Sequence, residues 1–272
     1  MKRNYLGIWL LLLVAFAAVC ALSAFSPVSI GGYELRDSGL ADALTASRAP
    51  VSASAQSLTA GQGDAAAADS VFEQQMHRMQ APVDSSAKVL LFIGDSMLEG
   101  LSPRLAAYAK HNGHTLYSVI WYSSTSEVWG RSGKLKRYME QIKPDFVFIS
   151  LGANELFVKD IKTKRDKYVK AILSELGDTP YLWIGPPNWK PDTGINDLVR
   201  ANTGRGCFFL SDGMHFDRAK DGAHPTRSSA VLWMDSVVRW MGDNCPTPFV
   251  LDLPPMNTAS PKRIFIHQPN EQ

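Results

Sequence analysis

The stretch Val-Leu-Leu-Phe-Ile-Gly-Asp-Ser-Met, residues 89–97, decides the fold of this chain. Its five leading apolar residues show no polar alternation, which predicts a strand buried on both faces, and Gly94 marks the end of that strand. Residues 98–110 have helical character, so Ser96 is expected on a turn between a strand and a helix. Open α/β sheets carry their chemistry at such carboxyl ends of strands. An ordinary turn with a serine that caps the helix is the alternative interpretation.

Apolar runs alternate with helical segments over the rest of residues 88–244. Strands are predicted at 115–121, 145–151, 181–184 and 207–210, and helices at 135–142, 166–176, 195–201 and 227–241. This alternation predicts an α/β fold with a parallel sheet of about five strands that helices cover on both faces. Right-handed crossovers bring the strand ends to one edge of the sheet. Polar residues that are far apart in sequence, such as Ser96, Asn154 and His224, can therefore converge there.

The N-terminus carries an apolar segment. Lys2 and Arg3 precede an uncharged run over residues 6–25, about the roughly 20 residues that a helix needs to cross a bilayer. The run is longer than a signal-peptide core. We expect residues 1–27 to be an uncleaved signal anchor, so that the protein is single-pass in a bacterial-type inner membrane and its globular domain is periplasmic. A cleaved peptide and a lipoprotein signal at Cys20 are the alternatives.

Two further segments flank the predicted domain at residues 88–244. Residues 28–87 are rich in Ala, Ser and Gly, which predicts a flexible linker that cannot bury enough surface to fold. Inside it, residues 69–80 have one apolar helical face and predict a short helix that needs a surface to dock on. The Pro-rich tail, residues 245–272, contains one short strand candidate at 263–266. We assign that tail no catalytic role.

Composition excludes several classes of function. The net charge of +2 gives no basic footprint for nucleic acid. The three cysteines form no Cys-x-x-Cys, and His-Glu-x-x-His is absent from the sequence, so we expect no metal site and no cofactor. In an oxidising compartment Cys207 and Cys245 are candidates for a disulfide, and two separate buried thiols are the alternative.

The residue types that a serine nucleophile needs all follow predicted strands or precede the last helix. Such a serine requires a base, a carboxylate that orients the base, and donors for the oxyanion. Asp221 lies three residues before His224, so its carboxylate can reach imidazole Nδ1 while Nε2 points to Ser96. The Asn154 amide and the backbone N–H groups of Ser96 and Ser124 are candidates for the oxyanion hole.

A second Asp-x-x-His pair competes for the role of the base. Asp212 and His215 have the same spacing, but they follow a strand directly and lack the proline and the helix that come after His224. We therefore prefer Asp221 and His224. The Gly-x-Ser-x-Gly elbow of the α/β-hydrolases is absent from the sequence.

Taken together, these blocks resemble the SGNH, or GDSL-type, hydrolase superfamily over about residues 88–243. The matching blocks are Gly94-Asp95-Ser96, Gly152-Ala153-Asn154-Glu155 and Asp221-Gly222-Ala223-His224-Pro225. The resemblance implies a three-layer αβα, flavodoxin-like sandwich. It also implies that Ser96 is the nucleophile, His224 the general base and then acid, and Asp221 the residue that orients His224. Asn154 and the Ser96 backbone would belong to the oxyanion hole.

The second block departs from the family pattern. The family normally has a glycine after the second strand, whereas this chain has none there before Gly130. The loop 123–126 must supply the N–H donor instead, and we assign it to Ser124. Glu155 stands where the family often has Asp, a change that we expect to be tolerated. Losing one oxyanion donor typically lowers the rate on the order of 100-fold.

Aromatic and amide side chains near the predicted strand ends suggest a carbohydrate. The candidates for substrate binding are Asp95, Trp121, Asn188 and Trp189. Core packing is the alternative for the aromatic residues. With the predicted anchor, they indicate an outward-facing serine esterase that removes O-acyl groups, O-acetyl first among them, from an envelope or exported polysaccharide. An O-acetyltransferase served by a membrane-bound acyl-donor partner and a non-catalytic glycan-binding subunit are the alternatives.

Overall fold

The computed structural model describes residues 28–30, 33–35, 83–211 and 213–269, which fall into two units divided after residue 66. In the first unit, β1 (Val28–Ile30) pairs antiparallel with β2 (Tyr33–Leu35), a pairing that the linker composition does not predict. The signal anchor, Cys20, the helix at 69–80 and Asp212 lie outside the described residues. Within those residues, no helix is long and apolar enough to span a membrane.

The second unit contains the remaining elements. Its strands are β3 (Val89–Gly94), β4 (Thr115–Trp121), β5 (Phe146–Ser150), β6 (Tyr181–Ile184), β7 (Phe208–Phe209) and β8 (Arg263–His267). Its helices are α1 (Leu98–His111), α2 (Ser126–Ser132), α3 (Lys134–Ile142), α4 (Ile161–Leu176), α5 (Ile195–Asn202) and α6 (Arg227–Asn244).

The strands of this unit form one parallel sheet in the order β7-β6-β5-β3-β4-β8. The predicted α/β class with a parallel sheet is confirmed, but the sheet has six strands rather than about five. The additional strand is β8, which pairs with β4 from Tyr117 opposite Arg263 to Trp121 opposite His267. The sequence places this strand in the tail because it is short and follows a Pro-rich segment beyond the last helix.

Helices cover both faces of the sheet because β3 is apolar on both faces. Leu90 and Phe92 pack with α1 and α6 in one core. Leu91 and Ile93 pack with α2, α3, α4 and α5 in the other. All four side chains are completely buried. The result is a three-layer αβα arrangement with β3 near the centre of the sheet.

Gly94 brings the end of β3 close to β5. A Cβ at this position would lie 2.2 Å from the Ser150 carbonyl oxygen, so no larger residue fits without moving a strand. The next amide, that of Asp95, donates to the same oxygen at 3.1 Å. The chain therefore turns into α1 directly above the ends of two neighbouring strands, and this turn carries Ser96.

Candidate active site

Ser96, His224 and Asp221 form a hydrogen-bonded chain across the carboxyl ends of the strands. His224 Nε2 lies 2.8 Å from Ser96 Oγ, and His224 Nδ1 lies 2.7 Å from Asp221 Oδ2. In this geometry an imidazole can take the serine proton while the carboxylate stabilises the imidazolium. The structure thus brings together the three side chains that the sequence predicts as a triad, and their catalytic roles stay a prediction.

The loop before α6 holds His224 in place. Asp221 Oδ1 accepts hydrogen bonds from the backbone N–H groups of Ala223 at 2.9 Å and His224 at 3.0 Å. These N–H groups, together with the imidazole, lower the pKa of Asp221 to about 2, so the carboxylate is ionised at neutral pH. Arg218 ties the loop to the end of β6, because its guanidinium donates to the carbonyl oxygens of Ala223 at 2.8 Å and Pro187 at 3.0 Å.

His215, the histidine of the competing pair, is exposed. Its predicted partner Asp212 lies outside the described residues. The histidine that is hydrogen-bonded to Ser96 Oγ is His224, which agrees with our preference for the second pair.

Asn154 lies on the loop after β5 and contacts the loop after β4. Its Nδ2 donates to the Ser124 carbonyl oxygen at 2.9 Å, which fixes the side chain and leaves the second amide hydrogen for another acceptor. Ser124 itself is buried, and its N–H donates to the Trp121 carbonyl oxygen at 3.1 Å. Our assignment of Ser124 as the oxyanion donor is therefore wrong, because its amide is already engaged in a turn.

Ser123 is the residue that the sequence reasoning missed. It is exposed and has a φ of +55°, the left-handed conformation that favours glycine. It thus has the backbone conformation expected of the glycine that the second block lacks. Among the described residues, the Ser123 N–H makes no hydrogen bond, and it replaces Ser124 as the candidate donor. The sequence shows only a small polar residue there, since φ is visible only in the folded backbone.

Glu155 connects the loop after β5 to the start of α2. Its carboxylate is completely buried and accepts from Ser126 Oγ at 2.6 Å, Ser126 N at 3.1 Å and Arg165 Nε at 2.9 Å. Burial raises the pKa of this carboxyl, and the hydrogen bonds oppose that rise. Since Asn154 is the preceding residue, this network helps to hold the candidate oxyanion amide in position.

Asp95 lies beneath the nucleophile turn and is completely buried, so its predicted contact with substrate is wrong. Its Oδ1 accepts from the Met97 N–H at 3.0 Å, while Oδ2 makes no hydrogen bond within the described residues. Burial raises the pKa of this carboxyl to about 7. Asp95 therefore shapes the turn that carries Ser96.

Trp121 is also a core residue rather than part of a substrate rim. It is completely buried, its Nε1 donates to the Gln268 carbonyl oxygen at 3.0 Å, and its ring packs edge-on against Trp129 at 5.4 Å. Trp121 is the last residue of β4, which predicts a place at the carboxyl end of the sheet near the site. Its side chain instead faces the core beneath α2. This corrects the prediction for Trp121.

Trp189 and Asn188 remain partly accessible on the loop after β6. Trp189 Nε1 donates to the Ala153 carbonyl oxygen at 3.1 Å, which places the indole beside the Asn154 loop. Its ring packs edge-on against Phe157 at 5.7 Å, and Phe157 is half exposed. Asn188 Oδ1 accepts from Asn196 Nδ2 at 3.3 Å. Trp189 and Phe157 thus form an aromatic edge on one side of the candidate oxyanion hole.

The two cysteines lie on segments that touch each other. A Cβ at Gly206 would lie 2.2 Å from the Asn244 carbonyl oxygen, so the residues preceding Cys207 and Cys245 are in contact. The predicted disulfide stays a prediction. Among the described residues, no group of three His, Cys, Asp or Glu side chains could hold a metal ion.

Comparisons with known proteins give matches among solved structures. No protein-family model and no curated protein matches this chain. The psychrotrophic esterase EstA from Pseudoalteromonas sp. is 17% identical with a TM-score of 0.42, over 56% of this chain and 96% of that one. A two-domain esterase active on acetylated mannans is 14% identical with a TM-score of 0.42, over 72% of this chain and 57% of that one.

A third similar structure is a protein assigned to the lipolytic G-D-S-L family of Desulfitobacterium hafniense DCB-2. It is 14% identical with a TM-score of 0.36, over 56% of this chain and 98% of that one.

Proposed function

We propose that this protein is a serine esterase that removes O-acyl groups, O-acetyl first among them, from an envelope or exported polysaccharide. The observation that carries the proposal is the hydrogen-bonded chain from Ser96 Oγ through His224 to Asp221, with distances of 2.8 and 2.7 Å. This arrangement converts a weakly nucleophilic hydroxyl into one that can attack an ester carbonyl.

The reaction proceeds through an acyl-enzyme. Ser96 Oγ attacks the ester carbonyl carbon while its proton passes to His224 Nε2, and Asp221 stays ionised beside the imidazolium. The oxyanion accepts hydrogen bonds from the Asn154 amide and the backbone N–H groups of Ser96 and Ser123. Collapse of the tetrahedral intermediate breaks the bond to the alcohol oxygen, which takes the proton from His224. Water then attacks the acyl carbonyl carbon while its proton passes to His224. The second intermediate breaks the bond to Ser96 Oγ, which takes that proton back as the carboxylic acid leaves.

The carbohydrate part of the proposal comes from the edge of the site and from the predicted N-terminal anchor. Trp189 and Phe157 lie beside the Asn154 loop and are partly accessible. Aromatic rings of this kind suit the apolar C–H faces of sugar rings. An anchor over residues 1–27 would hold the domain on the outer face of the inner membrane, within reach of envelope glycans.

Acetate release from an acetylated glycan tests the proposal. Ser96→Ala and His224→Ala are each expected to lower kcat about 10³-fold or more, because members of a triad act as a unit. His215→Ala is the matched control, since this histidine is exposed and makes no contact with Ser96 in the hydrogen-bonded chain. Full activity of both site variants, or loss of activity in His215→Ala, would contradict the assignment.

Acyl transfer is the second candidate. The observation behind it is a groove of about 740 Å³ beside Ser96 and His224, which has room for an acceptor hydroxyl. Transfer differs from hydrolysis only in whether a sugar or water meets the acyl-enzyme. Product analysis with an activated acetyl donor and a glycan acceptor separates the two. A fluorophosphonate that fails to label Ser96 would instead favour a non-catalytic glycan-binding subunit.

A further inference from the structure

A groove of about 740 Å³ opens from the triad toward the C-terminal strand. Its lining includes Ser96 and His224 of the triad, and also Ile120, Tyr122, Ile264 and Ile266. Residues 258–261, which precede β8, form its C-terminal wall together with Ile264 and Ile266. The groove thus joins the candidate nucleophile to a segment outside the block pattern of the sequence.

The C-terminal wall is firmly attached to the domain. The Ala259 N–H donates to the Pro103 carbonyl oxygen at 2.9 Å, and β8 pairs with β4 along its whole length. Arg104 donates from Nη1 to the Met256 carbonyl oxygen at 2.8 Å and from Nε to Asp235 at 2.6 Å. Since the Arg104 side chain is only 3% exposed, this ion pair is protected from solvent and fixes the segment to α1 and α6. The wall is therefore preformed.

Two isoleucines give this wall an unusual surface. Ile264 and Ile266 are 46% and 54% exposed, and they lie on the same face of β8 because side chains alternate along a strand. The intervening Phe265 packs on the opposite face against Tyr138, with ring centroids 5.0 Å apart. Branched apolar side chains left in water beside a catalytic serine favour a ligand that covers them.

The chemistry of the triad fixes which part of an ester the groove can hold. His224 Nε2 must deliver its proton to the leaving oxygen, so the alcohol portion lies on the imidazole side of Ser96. The groove is lined by His224 and by the first turn of α6 at Arg227. Asn154 does not belong to the described residues that line it. A carbonyl oxygen that accepts from the Asn154 amide would therefore point away from the groove, which leaves the groove side of Ser96 to the alcohol.

We infer that residues 258–266 form a subsite for the alcohol portion of the substrate, a sugar unit of the acylated glycan; this rests on the proposed esterase function. A sugar ring offers C–H faces to Ile264 and Ile266 and hydroxyl groups to polar side chains. Glu99 and Arg227, both exposed and both part of the lining, supply such partners. The tail is thus part of the substrate site, although it supplies no catalytic group.

Steady-state kinetics of the full chain test the subsite. Ile266→Trp fills the groove, and Leu232→Trp is the matched control, because Leu232 is 65% exposed on α6 outside the lining. For an acetylated xylo-oligosaccharide, Ile266→Trp is expected to raise KM about tenfold. The loss in kcat/KM should be several-fold larger for this substrate than for 4-nitrophenyl acetate. Leu232→Trp is expected to match the wild type on both substrates.

Three outcomes would overturn the inference. The first is a KM for the oligosaccharide that Ile266→Trp leaves at the wild-type value. The second is a loss confined to 4-nitrophenyl butyrate and octanoate, which would make the groove an acyl site. The third is a calorimetric result in which Ser96→Ala and the double variant Ser96→Ala, Ile266→Trp bind a deacetylated xylo-oligosaccharide with equal affinity. A wild type that hydrolyses no ester would refute the proposed function. Calorimetry needs no turnover, so it tests the subsite even in that case.

Discussion

At the residue scale, the site depends on three polar groups with different surroundings. Asp221 is partly exposed and held ionised by N–H donors, which lower its pKa. Asp95 is buried with one oxygen unsatisfied, so its pKa is raised. Asn154 is neutral and is fixed by a single hydrogen bond to Ser124. These environments suit three separate roles: the proposed orientation of His224 by Asp221, the shape of the turn at Asp95, and the proposed donation from Asn154 to the oxyanion.

Replacing Asn154 with alanine removes the side-chain donor of the proposed oxyanion hole. We expect kcat for 4-nitrophenyl acetate to fall about 100-fold or more, with a small change in KM, because the interaction strengthens only in the transition state. Stopped-flow measurement of the acylation step should show the same fall. An unchanged kcat would exclude Asn154 from the hole.

Asp95 predicts a pH dependence of stability. In the folded protein the carboxyl keeps its proton up to about pH 7, whereas its ordinary pKa is 3.8. Between these values the native state binds more protons than the unfolded state, so stability falls as the pH rises. In urea unfolding, the free energy of unfolding of the wild type should be lower at pH 8 than at pH 4.5, by on the order of a few kcal/mol. The free energy of unfolding should depend less on pH in Asp95→Asn than in the wild type. An equal dependence in both proteins would contradict a buried, protonated carboxyl at Asp95.

At the scale of elements, the loops after β4 and β5 are joined by polar contacts at their bases. Asn154 donates to Ser124, and Glu155 accepts from both the N–H and the hydroxyl of Ser126. Arg165 of α4 completes the network, since it pairs with Glu155 and also with Glu127 at 2.6 Å. The position of the oxyanion groups thus depends on the packing of α2 against α4.

Glu155→Gln removes a buried negative charge. Among the described residues, it leaves Arg165 with Glu127 as its ion-pair partner. We expect the free energy of unfolding to drop by about 3–5 kcal/mol, the usual cost of breaking a buried pair. The matched control is Glu127→Gln, whose side chain is 30% exposed and whose loss should cost about 1 kcal/mol or less. Denaturant titration of both variants makes the comparison. Equal losses would mean that Glu155 has no special structural role.

At the scale of the whole molecule, the parallel sheet and the contacts among Ser96, His224 and Asp221 could be predicted from the sequence, whereas the conformation of Ser123 and the groove could not. Continuous apolar runs such as 89–93 and 146–149 identify parallel strands, because both faces of such strands are buried. The triad followed from the spacing of Asp221 and His224 and from family motifs. Ser123 was missed because its left-handed φ has no sequence signature. β8 was predicted as a strand candidate at 263–266, but its place in the sheet was not, because its exposed isoleucines do not form a run that is buried on both faces.

Arg104 holds the C-terminal segment on the domain, so its replacement is expected to lower the stability of the whole domain. Arg104 contacts Asp235 of α6 and the carbonyl oxygen of Met256, so it joins three parts of the domain. Arg104→Leu is expected to lower the free energy of unfolding by about 3–5 kcal/mol, because Asp235 loses its buried partner. Arg131→Leu, whose side chain is 68% exposed, should cost less than about 1 kcal/mol. Equal midpoints of urea unfolding for the two variants would contradict this.

The placement of β8 has a consequence for the order in which the site is built during synthesis. The other five strands of the sheet and the whole triad precede β8 in the chain. The N-terminal part of a chain is synthesised first, so Ser96, Asp221 and His224 leave the ribosome before β8 does. Until β8 pairs with it, β4 is the edge strand on this side of the sheet, and its unpaired N–H and C=O groups can pair with another chain.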